Sequence, residues 1–171
     1  MSELISGKII SAQINEELRN EVEHLKARGV EPCLVVILVG EDPASAVYVR
    51  NKKRTCAELG IRLVGHDLPE TTSQEELENL VHDLNNDPSV HGILNQFPLP
   101  KGLDESRVIR TISPEKDVDG LHPLNAGLIA MGQPSFISCT PYGVLQMLKR
   151  SNISTSGKKA VVLGRSNLVG R

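Results

Sequence analysis

One run, Cys33-Leu-Val-Val-Ile-Leu-Val39, constrains the fold more than any other stretch of the chain. A strand with one wet face alternates apolar and polar residues. An unbroken, β-branched run needs cover on both faces, as in a strand inside a parallel sheet. Helical patterns flank it. Between Lys8 and Arg28, Ile10, Ile14, Leu18, Val22 and Leu25 recur at helical spacing, and Gly29 stops the pattern. After Glu41-Asp42-Pro43 a helical stretch runs to Leu59 and ends at Gly60. A short alternating strand follows at Ile61 to Val64. Ser73 with Glu76 makes a capping-box pattern that opens a helix to about Asn86, before Pro88. Val90 to Leu94 reads as a strand, Asp104 to Thr111 as a short helix and Ser113 to Leu124 as an ordered loop. Thr140-Pro141 supplies an N-cap and first-turn proline for a helix to about Arg150. This alternation predicts an α/β domain over residues 1–150, a parallel sheet with helices on both faces. The Ser-rich stretch Ser151 to Gly157 reads as a linker. Lys159 to Leu163 reads as the first strand of a second domain, and Gly164 to Gly170 as the turn behind it, so that residues 151–171 begin a second unit.

Composition narrows the function classes. A net charge of −2 and a pI near 6.2 give no basic field for nucleic acid and no polybasic segment for a membrane. The longest apolar run is too short to cross a bilayer, and Met-Ser-Glu-Leu lacks the features of a secretory signal, so a cytoplasmic location is expected. Tyr48, Tyr142, Phe97 and Phe136 are the only aromatic residues, so the core must be aliphatic. Cys33, Cys56 and Cys139 contain no Cys-x-x-Cys pair, and the histidines lack ligand spacing. No metal is expected.

Some residues have a pattern suited to chemistry. Tyr48 and Lys52 lie four apart on a helix that begins past a strand's carboxyl end, where open α/β sheets bind ligands. They are either a packing ring beside a solvated cation or a stacking platform beside an acid/base lysine. Gln96 ends an apolar strand before the rigid Phe97-Pro-Leu-Pro100 loop, where its amide either fixes the loop or faces a ligand. Asp117 and Asp119 sit in a tight turn, either capping backbone amides or reading an amidine-like ring edge. Gly164, Arg165 and Ser166 open a turn suited to phosphate, but the Gly-x-Gly-x-x-Gly fingerprint is missing.

Five ordered motifs resemble the bifunctional methylenetetrahydrofolate dehydrogenase/cyclohydrolase family: Asp42-Pro-Ala-Ser-Ala-Val-Tyr-Val-Arg-Asn-Lys52, Gly92-Ile-Leu-Asn-Gln-Phe-Pro-Leu-Pro100, Pro114-Glu-Lys-Asp-Val-Asp-Gly-Leu121, Cys139-Thr-Pro141 and Val162-Leu-Gly-Arg-Ser-Asn-Leu-Val-Gly-Arg171. The resemblance implies that Tyr48 stacks on a folate, Lys52 is the central acid/base group, Gln96 positions and tunes it, and Asp119 holds the pterin. Asn95, Phe97 and Pro98 would line the folate site. The family carries an aliphatic residue where Asn95 stands and leucine where Phe97 stands, which brings a polar group and extra bulk to that wall. Gly164, Arg165 and Ser166 match the cofactor turn of an NADP-binding Rossmann domain. The implied reactions are NADP-dependent oxidation of 5,10-methylenetetrahydrofolate and hydrolysis of the methenyl product to 10-formyltetrahydrofolate, in a homodimer. A Rossmann domain needs roughly six strands, so the chain is expected to be truncated within it. The alternative expectation is an inactive folate-binding fragment or interaction module that pairs with another chain.

Overall fold

The computed structural model describes residues 4–166, with Ala44 as backbone alone. Its centre is a three-stranded parallel sheet in the order β2-β1-β3. β1 (Cys33–Val39) lies in the middle, paired with β2 (Arg62–Leu68) along its whole length and with β3 (Gly92–Asn95) from Leu34 to Ile37. The apolar run is therefore the central strand of a parallel sheet, and it is covered on both faces as expected. Its residues alternate between two hydrophobic layers. Val35, Ile37 and Val39 pack with Leu77, Val81 and Leu84 of α3 (Gln74–Asn86) and Val108 of α4 (Glu105–Thr111). Val36 and Leu38 pack with Val49 of α2 (Pro43–Leu59) and with Leu94. Helices thus cover both faces, and α1 (Gly7–Ala27) packs against α2.

The helix ends follow local chemistry. The Asp42 side chain accepts from Ser45 N at 2.7 Å, with Pro43 in the first turn, and Gly60 closes α2 in the left-handed conformation at φ +76°. Ser73 and Glu76 form the expected capping box of α3. Lys116 Nζ donates to Leu84 O and Asp87 O, satisfying carbonyls at the end of that helix.

Three expectations need correction. The segment read as an ordered loop to Leu124 already contains the start of α5 (Pro123–Ala130), capped by His122. This helix is apolar almost all round, holds Gly127 and begins from a histidine, so no stripe or common cap announces it. α6 (Cys139–Arg150) starts from Ser138, not Thr140, and Pro141 lies within its first turn. Lys159 to Leu163 forms no strand. Among the described residues it has no ladder partner, and a lone apolar segment cannot satisfy its backbone by itself. Val161, Val162 and Leu163 are 76, 63 and 94% exposed. The turn expected at Gly164 to Gly170 falls partly outside the described residues, from Asn167 onward. Among the described residues, no helix is long and apolar enough to cross a membrane.

Candidate active site around Lys52

The carboxyl ends of β1 and β3 place α2 beside the Gln96 loop. β1 leads through Gly40 into α2, whose one-turn spacing sets Tyr48, Lys52 and Cys56 along one side. β3 delivers Gln96 immediately after its last residue. Lys52 Nζ donates to Gln96 Oε1 at 2.8 Å, and Gln96 Nε2 donates to Phe97 O at 3.1 Å. The second bond orients the amide so that its oxygen is presented to the lysine. The Phe97-Pro98 peptide is cis.

Lys52 is half-buried, and desolvation lowers its pKa from the ordinary value of 10.5. The negative charge of Asp119 opposes that shift without overcoming it. Asp119 is carried by a turn running beside β3, where Asp117 bridges to Ile93 and Gly120 N donates to Asp117 O at 3.2 Å. Tyr48 is 62% exposed, which leaves its aromatic side chain accessible from solvent.

Cys139 is a residue that pattern reasoning did not assign. Its Sγ lies 3.7 Å from Val118 O, and its thiol is pushed up to about 11 by desolvation, then by the charge of Asp119 and a hydrogen bond to it. It therefore stays a neutral thiol at physiological pH. The available signal was the Cys139-Thr-Pro141 motif at a helix start; its proximity to Asp119 arises only through folding.

The structure thus brings together Lys52, Gln96, Asp119 and Cys139, with Tyr48 one turn away. Phe97 is half-buried and Pro98 exposed, both following directly on Gln96. Asn95 does not join them. Strand alternation puts it on the face of Ile93 and Ile37, under α3 and α4, whereas Leu94 faces α2. It is 3% exposed, and neither Nδ2 nor Oδ1 has a partner. Its departure from an aliphatic residue therefore bears on the core. Asn95→Val is expected to stabilise the chain by about 1–2 kcal/mol, because an unsatisfied buried amide is replaced by a group that needs no partner. Thermal unfolding checks this, and an unchanged or lowered midpoint would contradict it.

A family model of the tetrahydrofolate dehydrogenase/cyclohydrolase catalytic domain matches residues 5–119, the stretch that holds Tyr48, Lys52, Gln96 and Asp119. The chain belongs to that family. The tetrahydrofolate dehydrogenase/cyclohydrolase NAD(P)-binding domain matches residues 138–171. Among curated relatives, the bifunctional protein FolD of Agathobacter rectalis is 54% identical over 171 residues, all of this chain and 61% of the relative. The FolD protein of Magnetococcus marinus is 55% identical over 172 residues, covering 100% of this chain and 60% of its own. This chain therefore spans about three-fifths of the curated relatives it matches. The crystal structure of FolD from Campylobacter jejuni superposes with a TM-score of 0.97 at 46% identity, over 98% of this chain and 60% of that one. The Trypanosoma brucei enzyme, solved with NADP and an inhibitor, gives 0.94 at 35% identity, over 99% and 58%.

Proposed function

We propose that this chain is the folate-binding, acid/base part of an enzyme of one-carbon metabolism. The complete enzyme oxidises 5,10-methylenetetrahydrofolate with NADP and hydrolyses the methenyl product to 10-formyltetrahydrofolate. The observation that carries this reading is the half-buried Lys52, held by Gln96 at 2.8 Å and facing the charge of Asp119. Tyr48 supplies a stacking face, Asp119 an acceptor for the pterin's N–H edge, and Phe97 and Pro98 the adjoining wall. Cofactor contacts are assigned to Gly164, Arg165 and Ser166. These residues are exposed, outside any helix or strand, and a Cβ on Gly164 would meet open space. The described part of that turn ends at Ser166, and the chemistry that the residues around Lys52 support is the hydrolytic half.

In that half, neutral Lys52 takes a proton from water as its oxygen bonds to the methenyl carbon. The ammonium then returns a proton to N5 as the carbon–N5 bond breaks, while the adduct's hydroxyl proton leaves to solvent. The methenyl cation and water become neutral 10-formyl product and one proton. The reading includes a cytoplasmic enzyme that is homodimeric when complete and takes small molecules rather than nucleic acid or membranes.

The test is the loss of 5,10-methenyltetrahydrofolate absorbance with purified chain, against the spontaneous rate and without NADP. Because desolvation disfavours the ammonium, the neutral amine forms below the ordinary lysine value. The enzymatic rate should therefore rise with pH and level off below 10.5. A pH–rate profile that rises only above 10.5 would contradict this.

Exposed Val161, Val162 and Leu163 favour a second reading, an inactive folate-binding fragment or interaction module whose apolar segment pairs with another chain. Sedimentation separates the two. A monomer that accelerates hydrolysis removes the second reading, and a self-associated chain without activity supports it.

A further inference from the structure

Asp117 and Asn125 are 2% and 3% exposed, and the hydrolysis uses neither. Asp117 Oδ2 accepts from His122 N and from Asn125 Nδ2, both at 2.8 Å. Asn125 Nδ2 also donates to Pro114 O at 3.0 Å, and its Oδ1 accepts from Ser135 Oγ at 2.8 Å. A buried carboxylate is costly unless hydrogen-bonded, and here amide donors hold it. The result is a continuous chain from the turn beside β3, through α5, to the segment entering α6.

What this chain brackets is the turn 117–120, which carries Asp119. Gly120 of that turn lies so close to residues 136–138 that an added Cβ would sit 2.8 Å from Ile137 C and Ser138 N. The next residue is Cys139, whose Sγ approaches Val118 O. Two segments distant in sequence therefore meet at the site, and Asp117, Asn125 and Ser135 tie them from behind the Cys139 contact.

We propose that the Asp117–Asn125–Ser135 chain is a positioning device that fixes the Asp119 turn and Cys139 in one arrangement beside Lys52. That Asp119 meets substrate rests on the function proposed above; the positioning itself is legible without substrate. Cys139 reports it, because the residue is exposed and its thiol feels Asp119, Lys52 and Asp117.

The experiment compares Ser135→Ala, Ser135→Thr and Asn125→Ala in the whole chain. The pH dependence of iodoacetamide alkylation at Cys139 is followed by mass spectrometry of its peptide. In Ser135→Ala and Asn125→Ala the apparent pKa should fall from about 11 toward the ordinary 9.0. A fall of one unit, the part that Asp119 would account for, makes alkylation near pH 8 about tenfold faster, given one decade of thiolate per pKa unit. Ser135→Thr, which keeps the hydroxyl, should behave as the parent. For methenyl hydrolysis, the two disruptive variants should raise KM about tenfold while kcat changes less than about twofold, since the turn binds substrate and Lys52 is untouched. If Asn125→Ala fails to fold, the Ser135 pair decides. A folded Ser135→Ala with unaltered Cys139 alkylation overturns the proposal. If the parent chain accelerates no hydrolysis, the functional reading falls instead, and Cys139 alkylation still decides the positioning.

Discussion

Lys52→Ala should reduce methenyl hydrolysis by about 10²–10⁴-fold, the ordinary contribution of a positioned acid/base group, leaving a rate close to spontaneous. The argument rests on where the amine sits. Its burial lowers the cost of the neutral form, and Gln96 Oε1 fixes its position at 2.8 Å. Lys52→Arg should fail to restore the rate, because a guanidinium does not become neutral in the working range. The loss should not be one of folding. Desolvation lowers the lysine pKa, so between that lowered value and 10.5 the unfolded chain binds more protons than the folded one. Stability from this group therefore increases as pH rises through that window, and below it the buried ammonium is a liability that alanine removes. Absorbance assays with circular dichroism of the same samples check both statements. A folded Lys52→Ala chain that hydrolyses at the parent rate would remove the lysine from the mechanism.

Gly120→Ala should damage both stability and folate binding. The residue has φ +65°, and the added carbon would lie 2.8 Å from Ile137 C and Ser138 N and 2.9 Å from Phe136 O. Those are backbone atoms, which cannot rotate away as a side chain would. The turn must move off residues 136–138 and take Asp119 with it. The expected cost is about 3 kcal/mol, the sum of left-handed strain and displaced packing. Folate affinity should drop by more than about tenfold, the equivalent of 1.4 kcal/mol lost from binding. Gly132→Ala is the control, since it has a similar φ of +71° and nothing within 4 Å of the added carbon. It should cost only about 1–2 kcal/mol and leave folate binding unchanged. Urea unfolding and calorimetry with a folate distinguish them, and equal effects at the two glycines would show that the close approach is unimportant.

Local signals account for most of the scaffold. The unbroken run at β1, the capping box before α3 and the Asp42-Pro43 and Gly60 ends of α2 are each decided within a few residues, by burial period, cap chemistry and backbone freedom. α5 escaped because a helix apolar almost all round carries no stripe and His122 is an uncommon cap. The expected strand at 159–163 misled because strand propensity is realised only beside a partner.

Local sequence alone is enough for the doubly covered strand at residues 33–39, the order of strands and helices as far as Thr111, the motifs that carry the family resemblance, and the one-turn spacing of Tyr48 and Lys52. Packing of the layers settles that Gln96 presents its oxygen to Lys52, that Asn95 turns into the core, and that Asp117, Asn125 and Ser135 join across α5. The first set follows from periodicity and steric rules acting over a few residues. The second depends on hydrogen-bond partners far apart in the chain or on which face a strand buries, and those are fixed only when the layers pack.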